Sequence, residues 1–123
     1  MSEFQHKEIT QAIIGAAFEV HNKLGYGFLE KVYQRAMQVE LNTKEHDCEL
    51  EHKLTVNYKG VIVGEFYSDL VVDEKVLVEL KASKNYSSAD EAQLLNQLKD
   101  GENSVGLFIN FGREKVEFKR MIV

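Results

Sequence analysis

Apolar residues recur at helical spacing along the first third of the chain. Ile9, Ile13, Ala16, Ala17, Val20 and Leu24 form one stripe, which predicts a helix from about Lys7 to Lys23 with Gly25 as its stop. Gly25-Tyr26-Gly27 makes a tight link to a second helix, from about Leu29 to Asn42, with Leu29, Val32, Tyr33, Ala36 and Val39 as its apolar face. After a polar loop, Thr43 to Asp47, the period changes to two. Leu50, Leu54, Val56 and Tyr58 share one parity of a strand predicted over Glu49 to Tyr58, and the polar parity is expected to face solvent. Lys59-Gly60 supplies a hairpin turn, a second strand runs from about Val61 to Val72, and a third covers Val76 to Ala82. Ser88 and Glu91 fit a capping box opening a third helix, which ends near Asp100 with Gly101 as its stop. Ala92, Leu94, Leu95 and Leu98 are expected to pack inward, with Gln93 and Gln97 on a solvated flank. Val105 to Asn110 is apolar throughout and reads as a central strand, and Lys115 to Ile122 forms a last, more polar one. The order α-α-β-β-β-α-β-β predicts an α/β sandwich with a mixed central sheet flanked by helices, in one domain spanning residues 1–123.

Three charges interrupt the most apolar strands: Asp69, Glu79 and Lys81. Such strands usually lie mid-sheet, covered on both faces, where a charge is costly unless it holds something. If Asp73-Glu74-Lys75 is a three-residue loop, Val72 pairs with Val76, Val71 with Leu77, Leu70 with Val78 and Asp69 with Glu79. The two carboxylates are then cross-strand neighbours, about 4.5–5.5 Å apart at Cβ. A loop of two or four residues loses that pairing, and the apolar pattern alone does not fix the register. Facing carboxylates repel, so either one takes up a proton or a cation sits between them. Mg²⁺ accepts one or two carboxylates and suits the second case. Lys81 lies on the same strand face as Glu79, where it could orient a water or stabilise developing negative charge. The plainer alternative is an Asp–Lys or Glu–Lys ion pair on a half-solvated face. Glu30 has a similar alternative, because the first turn of a helix favours a negative charge. His21, among Ala17, Phe18 and Leu24, reads first as a core-edge histidine hydrogen-bonded to a neighbour.

Composition narrows the choices. The 44% hydrophobic content supports a real core and argues against disorder. No apolar run approaches the roughly 20 residues of a membrane span. The start, Met1 to His6, has no basic-then-apolar signal segment, so a cytoplasmic protein is the simplest expectation. A single cysteine, Cys48, excludes an internal disulfide and a thiolate zinc cluster. The net charge of -5 gives no whole-molecule attraction for nucleic acid, so such a partner needs a local basic surface or a screening metal.

Asp69 followed by Glu79-Leu80-Lys81 resembles the PD-(D/E)XK nuclease pattern. Gly27-Phe28-Leu29-Glu30-Lys31-Val32-Tyr33 is similar to the motif that names the GxxExxY family within that superfamily, and Ile13 to His21 looks like its first helix. Glu91 to Asn96 and Gly106 to Gly112 resemble its later segments. The resemblance implies a restriction-endonuclease-like fold with a metal site at one sheet edge. It further implies Asp69 and Glu79 as ligands of Mg²⁺ or Mn²⁺, the Leu80 carbonyl as a further ligand, Lys81 as the catalytic lysine, and Glu30 as an added helix-borne acid. Gln93 resembles the glutamine of a Gln-x-x-x-Tyr motif in RecB-type relatives, with Gln97 in place of its tyrosine. Tyr67-Ser68 stands where the family pattern has Arg-Ala, which removes a phosphate-binding cation.

Two functions follow. The first is a metal-dependent nuclease that hydrolyses phosphodiester bonds in DNA, or in RNA, with a metal-activated water. The second keeps the fold without turnover. It is a module that binds nucleic acid or a protein partner, or a homodimer that buries the apolar side of the helices.

Overall fold

The first apolar stripe is realised as helix α1, Lys7–Leu24, in the computed structural model, which describes residues 6–84, 88–100 and 103–123. The N-terminal segment up to Gln5 lies outside these residues, as do the Ser88 side chain and Gly101, the expected start and stop of the third helix. Ile13, Ala16, Ala17 and Val20 are buried along α1. Gly25 ends it at φ 73, a conformation costly for any residue with a Cβ, and its N–H bonds the His21 carbonyl at 2.8 Å. His21 is the expected core-edge histidine: its Nε2 donates to the Gly112 carbonyl at 2.8 Å and its ring stacks near Phe111.

Helix α2, Glu30–Thr43, is rotated from its expected setting. Tyr33, Gln34, Met37 and Leu41 are buried, while Leu29, Val32 and Val39 are 80%, 38% and 66% exposed. The reason is tertiary. The Tyr33 ring stacks on Phe111 with centroids 4.4 Å apart, and its hydroxyl donates to the Gly25 carbonyl. Met37 and Leu41 follow Tyr33 at four-residue spacing, so they enter the core with it.

Five strands form one sheet in the order β1 (Cys48–Tyr58), β2 (Val61–Val72), β3 (Val76–Lys81), β4 (Val105–Phe111), β5 (Val116–Ile122). Neighbours are antiparallel except β3 and β4, which are parallel and joined through helix α3 (Ser88–Asp100). The mixed sheet, the flanking helices and the element order are those expected from sequence. Lys59 and Gly60, at φ 50 and 82, turn the first hairpin between paired Tyr58 and Val61. The second hairpin has the three-residue loop, with Val72 opposite Val76, and Asp73 and Glu74 both at positive φ. The Asp73 carboxylate pins this loop to the segment before β1, bonding His46 Nδ1 at 2.6 Å and the Asp47 N–H at 2.9 Å.

Side chains from alternate strand positions enter two cores. Val76, Val78, Leu80, Leu107, Ile109 and Phe111 pack with α1 and α2, whereas Leu77 and Phe108 pack with Leu94 and Leu98 of α3. Gly106 lets α3 come close, because a Cβ there would stand 3.0 Å from Leu98 Cδ1 and 3.2 Å from Leu94 Cδ1. Leu94 and Leu98 thereby set the inward face of α3, Leu95 is partly buried, and Ala92 lies on the exposed side.

Strand β1 does not keep the single apolar parity expected of it. Cys48 and Leu50 belong to the α1/α2 core, yet Leu54 packs in the α3 core. The alternation switches faces around Glu51, which sits at φ 55, and Tyr58 at the far end is 61% exposed. Ladder pairing is interrupted at the same place: Leu50 pairs with Leu70 and His52 with Ser68, with Asp69 between them. Among the described residues, no helix is long and apolar enough to cross a membrane.

Candidate active site

The interruption in the sheet falls on the first of the three unexpected charges. The β2–β3 ladder pairs Val72 with Val76, Val71 with Leu77 and Leu70 with Val78, as the three-residue loop requires, and its last pair is Leu70 with Val78. Beyond it, a side chain takes over from the backbone: Asp69 Oδ2 accepts the Leu80 N–H at 2.7 Å. The Asp69 carbonyl accepts Gln34 Nε2 of α2 at 2.9 Å, so the residue is held from both sides. Next to it, Ser68 is fully buried, with its hydroxyl donating to the Leu70 carbonyl at 3.0 Å.

Glu79 is only 6% exposed. Burial pushes its pKa from an ordinary 4.5 up to about 8, and Asp69 adds to the rise, both by sharing a hydrogen bond and by its like charge. The Gln97 amide and the Lys81 ammonium act the other way, favouring the charged carboxylate. Gln97 Nε2 donates to Glu79 Oε2 at 3.0 Å. The structure therefore brings together Asp69, Glu79 and Lys81 from two strands and Gln97 from α3. The raised pKa of Glu79 favours a proton at this pair, in the role a cation could take between two carboxylates.

Lys81 is half-buried at the end of β3, paired in the ladder with Asn110 of β4. Asn110 is fully buried and fastens the chain just after Lys81, accepting the Ser83 N–H at 2.9 Å and donating to its carbonyl at 3.0 Å. Glu30 opens α2 and is exposed. Among the described residues, no three His, Cys, Asp or Glu side chains gather closely enough to hold a metal, so Glu30 does not join the acidic pair. Gln93 is exposed on α3, one turn before Gln97.

Gln97 departs from the sequence reading. It was expected on a solvated flank but is 2% exposed, and its Oε1 is the one buried side-chain nitrogen or oxygen without a hydrogen-bond partner among the described residues. An unpaired buried acceptor costs about 1–3 kcal/mol, so the Glu79 contact holds this amide at an energetic disadvantage. Sequence reasoning also missed Gln34 and Asn110 as supports. Asn110 did carry a signal, as the amide in an otherwise apolar strand. Gln34 carried none, because a glutamine on a helix with many polar residues looks solvated.

The PD-(D/E)XK nuclease superfamily profile matches residues 7–121. Among solved structures, the chain is similar to the one described as the crystal structure of SSO0001, with a TM-score of 0.59 and 13% identity over 75% of this chain and 48% of that chain. At that identity the likeness concerns the fold, and this chain spans about half the length of that protein. No curated protein matches the sequence.

Proposed function

The chain belongs to the PD-(D/E)XK nuclease superfamily, and on that premise we propose that it is a divalent-metal-dependent nuclease acting on DNA, with RNA as the other substrate class. The observation that carries the reading is the Asp69–Glu79 pair, two carboxylates that share a hydrogen bond at a site where burial first, and the neighbouring carboxylate second, raise the Glu79 pKa, with Lys81 beside them. We further assign the chain to the GxxExxY group, from its Gly27 to Tyr33 segment.

The donor set fits a hard divalent ion. Two oxygen-bearing side chains meet where both are partly withdrawn from water, and Mg²⁺ or Mn²⁺ is held in such sites by one or two carboxylates. Asp69 and Glu79 would hold it, with the Leu80 carbonyl as a further donor. When bound, the ion supplies charge neutralisation, polarisation of a phosphoryl oxygen and a more acidic water. The protein's own groups do the rest. The Leu80 N–H fixes Asp69 through Oδ2, and Gln97 fixes Glu79 through Oε2, so neither carboxylate must be reoriented when substrate arrives. The Lys81 ammonium orients the attacking water and stabilises negative charge that builds on the phosphate oxygens. Gln93 contributes an amide at the substrate side of α3.

The test is cleavage of single- and double-stranded DNA with Mg²⁺ or Mn²⁺. The parent should cut, and Asp69→Ala should not. No cutting by the clean parent, or equal cutting by the variant, rejects the reading. A second reading, a nuclease-fold module that binds nucleic acid or a protein without turnover, draws on Glu30 standing apart from the acidic pair. It predicts binding of DNA with no cleavage under any metal.

A further inference from the structure

A pocket of about 210 Å³ adjoins the acidic pair and is lined by Val56, Phe66, Gln93, Asn96 and Gln97. We propose that it receives one unstacked nucleobase of the bound strand, next to the phosphate held at Asp69 and Glu79. This rests on the nuclease reading above and adds to it where the substrate's base is recognised.

Three observations carry it. The first is composition. The lining contains no charged residue: one aromatic ring, one branched aliphatic side chain and three carboxamides. A phosphate needs cationic or backbone N–H donors, which this lining does not offer, whereas a base offers a flat apolar face and an edge of donors and acceptors. Phe66 provides a surface for stacking, Val56 extends the apolar wall, and the Asn96 and Gln93 amides can each donate and accept toward a base edge.

The second is position. Gln97 is a wall shared with the acidic site: it lines the pocket and its Nε2 lies 3.0 Å from Glu79 Oε2. A phosphate at the acidic pair and a base in the pocket would therefore be separated by a single side chain, on the scale of one nucleotide.

The third is the local backbone. Val56 and Phe66 line the pocket with residues of α3, on the side to which Leu54, the ladder partner of Phe66, turns after β1 changes faces around Glu51, at φ 55. With uninterrupted alternation, the even-numbered residues that face α1 and α2 at Leu50 and Leu70 would have kept Val56 and Phe66 on that side too. A left-handed non-glycine residue inside a strand is a strained feature of the kind found beside functional sites. Here its consequence is a ring and an aliphatic wall set against the amides of α3.

The probe is a short single-stranded DNA carrying 2-aminopurine, titrated in Ca²⁺ to hold it without cleavage. Stacking in the pocket should quench the fluorescence of the base at one position of the strand. An abasic residue at that position should weaken binding about fivefold or more, the range expected for loss of one base–aromatic stack. Phe66→Leu, which keeps apolar bulk but loses the ring, should weaken binding of the intact strand similarly and abolish the quench. Asn96→Ala, on the exposed side of α3, should weaken binding without changing the thermal midpoint. If the parent binds the strand but abasic substitution has no effect at any position and Phe66→Leu binds as well as the parent, the pocket is not a base site, and the nuclease reading stands. If the parent binds no strand at all, both readings fall together.

Discussion

The two faces of the sheet are built from the same strands and do opposite things. Toward α1 and α2, alternate residues of β3 and β4 form a closed hydrocarbon layer: Val76, Val78, Leu80, Leu107, Ile109 and Phe111. Toward α3 the layer is smaller, and Glu79, Gln97 and Asn110 are buried in or beside it. A sheet with one fully apolar face can tolerate poor energetics on the other. Burying a carboxylate beside another carboxylate, and an amide oxygen with no partner, is costly, and the first face offsets that cost. The comparison predicts that substitutions on the α1/α2 face lower stability, whereas those at the acidic pair lower activity and leave stability intact or raise it.

The largest effect should come from Asp69→Ala, which removes one of two acidic donors. DNA cleavage should fall by about 10³-fold or more, because stabilisation by the metal is worth several kcal/mol. Lys81→Met should follow, with a loss of about 10²–10³-fold in kcat, typical for one group that stabilises transition-state charge. Its thermal midpoint should stay near that of the parent, whereas a purely structural Lys81 would show the reverse.

On the other face, Leu107→Ala should destabilise the protein by about 2–5 kcal/mol in urea titration, as expected for a fully buried leucine whose cavity cannot collapse. Cleavage per folded molecule should be unchanged. If Leu107→Ala instead abolished cleavage in the folded protein, the faces would not be separable.

Glu79→Gln should change stability less than Leu107→Ala, with a diagnostic pH dependence. The folded-state pKa of Glu79, about 8, lies above its ordinary 4.5, so its stabilising contribution is complete below about 4.5. That contribution is lost as pH rises through about 8. The variant should therefore gain stability relative to the parent as pH rises toward 8 and lose the slope between those values. A parent whose metal-free stability is flat over that range would contradict the assigned burial.

How much of this could be read from sequence follows from which forces are local. The first hairpin was legible because Lys59-Gly60 acts through backbone conformation within a few residues, whereas the three-residue loop after Val72 was favoured over two or four residues because it sets Asp69 opposite Glu79. The β2–β3 register followed from that loop. The rotation of α2 was not legible, because Leu29, Val32 and Val39 make as good a stripe as Tyr33, Met37 and Leu41 until Tyr33 meets Phe111. The kink at Glu51 was invisible for the same reason. Nothing in Glu-Leu-Glu-His announces a left-handed residue, and only tertiary contacts select it. Gln97 shows the limit of spacing arguments. One turn from exposed Gln93, it is buried because Leu94 and Leu98 seat α3 on Gly106.

The central claim is that the Asp69–Glu79 pair is built to hold a divalent cation. Calorimetric titration of Mn²⁺ into the parent and into Glu79→Gln, at pH 8 without nucleic acid, tests it most directly. Saturable binding near one ion per chain in the parent, lost or weakened at least about tenfold in the variant, is the predicted result. Absence of binding to the parent, or equal binding to the variant, would contradict it.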